Sequence, residues 1–140
     1  MKTEGNFNSH LSKQFKKLAP DVHYLKASDR FAVGVSDFLV FGKGKTLAIE
    51  SKFVNTVPGD NVRLLNHEFT GPQLTFLESM ELAGCRALGL VGIKEFGRMY
   101  LIERRFLKNN WKVREFLELL PEFAEYEFKE VPKMLWDLWG

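Results

Sequence analysis

Two acids and a lysine, Asp37, Glu50 and Lys52, carry the chemistry that can be read from this chain. They lie in two stretches that read as β-strands, Gly34-Val-Ser-Asp-Phe-Leu-Val-Phe41 and Thr46-Leu-Ala-Ile-Glu-Ser-Lys52. Between them, Gly42-Lys-Gly-Lys45 reads as a hairpin turn. If the turn closes symmetrically, Phe41 pairs with Thr46 and each step outward adds a pair, so Asp37 falls opposite Glu50. Side chains alternate along a strand, which places Asp37, Glu50 and Lys52 on one face. Carboxylates opposed across a ladder sit roughly 5 Å apart at Cβ and destabilise it. A divalent cation between them removes the repulsion, and the ammonium beside it completes the equipment of a hydrolytic metal site. The competing account is a solvent-facing, ion-paired strand pair; the core-like character of the neighbouring residues speaks against it.

Such a set needs a framework. Phe7, Leu11, Phe15 and Leu18 repeat at helical spacing and predict a helix over 3–18, ended by Pro20. Extending that stripe back by three reaches Glu4, an acid on the core-facing side. Val22–Lys26 reads as a strand and 27–30 as a turn. Residues 54–70 show no steady period, and a connection of that length is often functional. Thr70 can cap the next helix, 72–83, with Pro72 in its first turn and Gly84 stopping it. Gln73 precedes Leu77 by four and so points to the core side. Strands are predicted at 87–93 and 98–103, a helix at 106–120, and an acidic, then aromatic tail over 122–140.

The bulk numbers suit one domain of 140 residues with a sizeable core. No apolar run is long enough to span a bilayer, and no charged-apolar-small leader opens the chain, so a soluble cytoplasmic protein is expected, in the host cytoplasm if it is viral. Cys85 is the one cysteine, and His10, His23 and His67 have no zinc spacing, which favours a hard cation held by oxygen. Net charge is +2 but unevenly spread. Residues 1–114 hold eighteen Lys/Arg against eleven Asp/Glu, and residues 115–140 hold two against seven. The larger part could face a polyanion; an ordinary solvated surface fits the same counts.

Glu4, Ser36-Asp37 and Glu50-Ser-Lys52 together resemble the PD-(D/E)XK nuclease pattern. The finer likeness is to the VRR-NUC branch and the related Holliday junction resolvases. Their typical run is similar to Lys26-Ala-Ser-Asp-Arg-Phe-Ala-Val-Gly-Val-Ser-Asp37, then Glu50-Ser-Lys52, a helix with Gln73 ending at Ala83-Gly84, and an apolar strand. The likeness covers about residues 4–95, with Ser36 where the usual pattern has proline. It implies an α/β fold with a central mixed β-sheet flanked by helices, a restriction endonuclease-like core of order α-β-β-β-α-β. One nuclease domain would then span 1–140, with its core in about 1–106 and a helical, acidic extension over 107–140.

Asp37 and Glu50 are assigned as ligands of Mg²⁺, for which Mn²⁺ could substitute. The resemblance adds the backbone carbonyl of Ser51. Lys52 would orient the attacking water or stabilise developing negative charge. Glu4 would hold the metal through water or bind a second ion, although an acid in a helix's first turn is also favoured by the dipole alone. Gln73 would position Lys52 or the water, or serve only as an N-terminal helix residue. Lys26 and Arg30 become phosphate contacts through the resemblance. Lys13, Lys16 and Lys17 fit a solvated helix face as well as a DNA contact, and Arg63 and His67 sit in the long connection. The expected activity is Mg²⁺-dependent cleavage of branched or distorted DNA, by a homodimer whose two sites cut two strands. Small size hints at a phage. A catalytically inactive nucleic-acid-binding or assembly protein on the same core is the alternative, and cleavage of RNA or linear DNA is a third.

Overall fold

Phe7, Leu11 and Phe15 are fully buried on one side of α1 (Glu4–Lys16) in the computed structural model, which describes residues 1–27, 36–59, 63, 69–107 and 111–140. The Thr3 hydroxyl accepts from the N–H of Asn6 and caps the helix, satisfying a donor that has no partner within it. α1 ends at Lys16, short of the predicted Leu18, which follows in a turn and packs on the core.

Strand β1 (His23–Lys26) leads into the hairpin of β2 (Phe38–Gly42) and β3 (Lys45–Val54). Its register pairs Phe41 with Thr46 and Gly42 with Lys45, as the symmetric turn predicts. Lys43 and Gly44 form the turn with φ of 51° and 71°. Two positive values in succession give a twist that matches the flanking strands. Helix α2 (Gly71–Leu82) carries the chain to β4 (Arg86–Ile93), parallel to β3, and β5 (Arg98–Glu103) returns antiparallel. Helix α3 (Val113–Leu119), strand β6 (Ala124–Tyr126) and helix α4 (Val131–Trp139) complete the chain. Among the described residues six strands form one mixed sheet in the order β1-β2-β3-β4-β5-β6.

Alternation along β3 sorts the core into two layers. Leu47 and Ile49 face a cluster with Phe7, Leu11 and Phe15 of α1 and Met134, Leu135 and Trp139 of α4. Ala48 and Val54 face the other, with Leu77 of α2, Phe69, Trp111 and Phe116. Burying one such large side chain contributes roughly 1.5–3 kcal/mol, so both layers pin β3 firmly.

Two expectations need correction. The predicted helix over 106–120 begins only at Val113, because Leu107 is already extended and Lys112 forms a bridge with Arg63. The acidic stretch supplies a strand, since Tyr126 pairs with Met99 at the sheet's edge. Residues 124–139 therefore build the sheet and the core. The far end of α4 also grips the hairpin turn. Trp139 packs on Gly42, where an added Cβ would lie 2.5 Å from the ring. Lys45 Nζ donates to the Trp139 carbonyl at 2.9 Å, and Lys43 Nζ stands 4.8 Å from the centre of the Trp136 ring. Among the described residues no helix is long and apolar enough to cross a membrane.

Candidate active site

Among the described residues the ladder between β2 and β3 runs as far as Phe38 and Ile49, and β3 continues to Val54 paired with β4. Glu50, Ser51 and Lys52 fall in that further stretch, and all three are buried. Ionisable groups are rarely buried without partners, and here each has them.

Glu50 and Lys52 share the face that looks toward α2, as strand alternation predicts, with Lys52 Nζ 3.7 Å from Glu50 Oε1. Beside Glu50 on β4 stands Gly89. A Cβ there would meet Leu107 at 2.7 Å and Phe69 at 3.1 Å, so the missing side chain lets Phe69 lie close. The Phe69 ring in turn sits 5.7 Å from Lys52 Nζ, forming an apolar wall with a weak cation–π contact.

Asp37 departs from the one-face expectation. It stands just before β2 begins, outside the regular pleat, and bridges the two faces. Its N–H donates to Glu50 Oε2 at 3.1 Å, while its Oδ2 accepts from the Ser51 N–H and lies 2.9 Å from Ser51 Oγ. Ser51 lies next to Glu50 on the strand and so points toward α1. There its hydroxyl also meets the side-chain amide of Asn8. One turn earlier on α1, Glu4 Oε1 lies 3.9 Å from Lys52 Nζ.

Gln73 serves as a helix-capping residue, and its side chain meets Glu50 rather than Lys52. Its Oε1 accepts from the Thr70 N–H at 2.9 Å, and its N–H donates to the Thr70 hydroxyl, a reciprocal capping box. With the oxygen so committed, Nε2 is left to donate, and it does so to Glu50 Oε1 at 2.6 Å. The cap thus sets which end of the amide meets the acid.

Burial pushes the Glu50 carboxyl up to about 9, with the Asp37 charge adding to the rise and Lys52 opposing it. Two acids this close in a dry setting resist joint ionisation unless positive charge joins them. Every candidate donor is oxygen, which suits a hard divalent ion. Among the described residues no group of three His, Cys, Asp or Glu side chains converges, so a third ligand would have to come from the main chain or from Glu4 acting at longer range.

The expected nucleic-acid contacts are dispersed. Lys26 pairs with Phe38, and Ala27 N–H donates to the Asp37 carbonyl, so this end of β1 borders the acids. Lys13 and Lys17 lie at the opposite end of α1 from Glu4. Arg63 is exposed and bridged to Lys112. Arg30 and His67 fall outside the described residues. Asn8 was not among the sequence candidates, although its spacing of four from Glu4 puts it on the same side of α1.

No protein-family model matches the chain, and no curated protein matches it. Among solved structures it is similar to Hjc, a Holliday junction resolvase from the archaeal hyperthermophile Archaeoglobus fulgidus, with a TM-score of 0.59 and 16% sequence identity. The match covers 92% of this chain and 98% of that one, well beyond residues 4–95. At that identity the likeness concerns the fold, a resolvase-like or restriction endonuclease-like α/β sheet flanked by helices.

Proposed function

We propose that this chain is a metal-dependent endonuclease that hydrolyses DNA phosphodiester bonds and selects branched or distorted duplex. One observation carries the reading: Asp37, Glu50, Lys52 and Gln73, from three separate parts of the chain, meet on the stretch of β3 that follows its described pairing with β2. The resolvase-like fold supports it, because it is an architecture on which another chain resolves junctions.

Asp37, Glu50 and the Ser51 carbonyl would hold Mg²⁺, with Mn²⁺ as a substitute. The ion would supply a polarised phosphate and a more acidic water. Lys52, beside Glu50 and Glu4, is placed to offset negative charge as it grows on phosphate oxygens, and its burial strengthens that effect. Gln73 keeps the Glu50 carboxylate from turning away. Phe69 and Leu107 exclude water from one side. Lys26, next to Asp37, would meet the DNA backbone, and two copies about a two-fold axis would address two strands of a symmetric junction.

The test is a substrate panel of four-way junction, flap, nicked, linear and single-stranded DNA, assayed with Mg²⁺, Mn²⁺ and chelator. Cleavage of branched DNA should need the metal and vanish in Asp37→Ala. Tight DNA binding with no cleavage under any metal would leave a binding protein on a nuclease-like fold.

A further inference from the structure

Asn8 follows the buried Phe7 on α1, one turn after Glu4. The Ser51 hydroxyl lies within hydrogen-bond distance of two oxygens, Asn8 Oδ1 and Asp37 Oδ2. A serine hydroxyl has one proton and can donate it to only one of them. The carboxylate is the stronger acceptor, because an ionised partner roughly doubles the strength of a hydrogen bond. If the proton goes to Asp37, the Asn8 amide must present Nδ2 in place of Oδ1. That exchange swaps two atoms whose placement follows from the surrounding hydrogen bonds. The relay then runs from Asn8 Nδ2–H to Ser51 Oγ, and from Ser51 Oγ–H to Asp37 Oδ2, with no donor wasted.

A serine hydroxyl rotates about its Cβ–Oγ bond to suit its partners. A donor on its lone pair selects the orientation in which its proton points at Asp37. Asp37 needs that help, since it precedes β2 and its carboxylate is fixed by the two Ser51 donors rather than by a ladder. We propose that Asn8 is a positioning residue for Asp37, acting through the Ser51 hydroxyl, an inference that rests on the reading of Asp37 as a metal ligand. Each acid is then held by a side-chain amide: Glu50 by Gln73 from the α2 side, and Asp37, through Ser51, by Asn8 from the α1 side.

The test measures Mn²⁺ binding to the DNA-free full chain by titration calorimetry in the parent, Asn8→Ala, Ser51→Ala and the double variant. Asn8→Ala should weaken binding about five- to tenfold, the equivalent of one lost hydrogen bond. In the Ser51→Ala background the same change should have no further effect, because the relay is already cut. The Mn²⁺ concentration for half-maximal cleavage should rise in step, with the rate recovering at saturating metal. If Asn8→Ala does not fold, Asn8→Leu keeps the bulk without the donor and gives the same reading. Equal losses in both backgrounds would mean that Asn8 acts by packing, and the proposal falls. If the parent binds Mn²⁺ and cuts DNA while Asn8→Ala binds as tightly as the parent, this inference fails and the proposed function stands. A parent that neither binds Mn²⁺ nor cuts sinks both.

Discussion

Between Leu47 and Ile49, β3 pairs with β2 and β4 and has apolar side chains on both faces; between Glu50 and Lys52 its described pairing is with β4 and its side chains are polar. Burial does not separate the two halves, since Glu50, Ser51 and Lys52 are 2%, 0% and 6% exposed. Partnership separates them. The first half is held by non-directional packing, which any well-shaped apolar residue can supply. The second is held by named bonds from Asp37, from Gln73 of α2, and from Asn8 and Glu4 of α1. Polar groups in so dry a place each need a partner of their own.

The sharpest test of this contrast substitutes adjacent residues. Glu50→Ala or Lys52→Ala should cut DNA cleavage on the order of a thousandfold, as loss of a charge-stabilising group does elsewhere. Circular dichroism should still show a folded chain with a cooperative melt. Ile49→Ala should do the reverse, lowering stability by about 2–5 kcal/mol in urea titration while the folded fraction keeps cutting. If Ile49→Ala abolished cleavage in conditions where it is folded, the division would be unsound.

Protons offer a second test. The Glu50 carboxyl titrates near 9 in the folded chain against about 4.5 unfolded, so the native state binds the proton more tightly. The stabilisation that this proton gives the metal-free protein is complete below about pH 4.5 and is lost as pH rises through about 9. Glu50→Gln lacks that loss, and its melting temperature should overtake the parent's progressively from pH 5 to 9. Mn²⁺ at pH 8 should close the gap by favouring the ionised acid in the parent. A difference that is flat with pH would contradict the burial of Glu50 beside Asp37.

A smaller effect probes whether the apolar half shields the polar one. Gly42→Ala drives a Cβ into the Trp139 ring and should cost about 1–3 kcal/mol of stability. The paired length of β3 intervenes before Glu50, so cleavage at 25 °C should stay within about threefold of the parent, as for distant independent sites. The smallest effect concerns Tyr126, a buried polar group on β6, three strands away from β3, that needs a single partner, Asp137 at 2.9 Å. Tyr126→Phe should lose about 0.5–1.5 kcal/mol, the worth of one hydrogen bond. Burial, and then the bond to Asp137, push the Tyr126 hydroxyl up to about 12, above the ordinary 10. The parent should therefore lose the matching stability as pH climbs from 10 through 12, and the phenylalanine variant should not.

What could be read from the sequence was what local rules determine. The Gly42-Lys-Gly-Lys45 turn sets the register, and the register brings Asp37 to Glu50. Thr70, Pro72 and Gly84 bound α2 because caps and breakers act within a turn of themselves. Features fixed by distant partners were hidden. Ala124–Tyr126 is a short acidic strand made possible only by β5, and α4 shows its role only against α1 and the hairpin. The turn of Asp37 toward Ser51 depends on where β2 stops, which alternation alone does not reveal. Asn8 was within reach, since a polar residue one turn after Glu4 and next to a buried phenylalanine has few ways to avoid the same neighbours.

The grip of Trp139 on the hairpin turn has a consequence for the order of events during synthesis. Lys45 and Trp139 lie 94 residues apart in the chain. At about 5–20 residues per second, the brace leaves the ribosome roughly 5–20 s after the loop it secures. For that interval the growing polypeptide carries the hairpin without the ring that packs on Gly42 or the carbonyl that Lys45 meets. Until α4 emerges, the turn and its ladder alone keep the two strands in register.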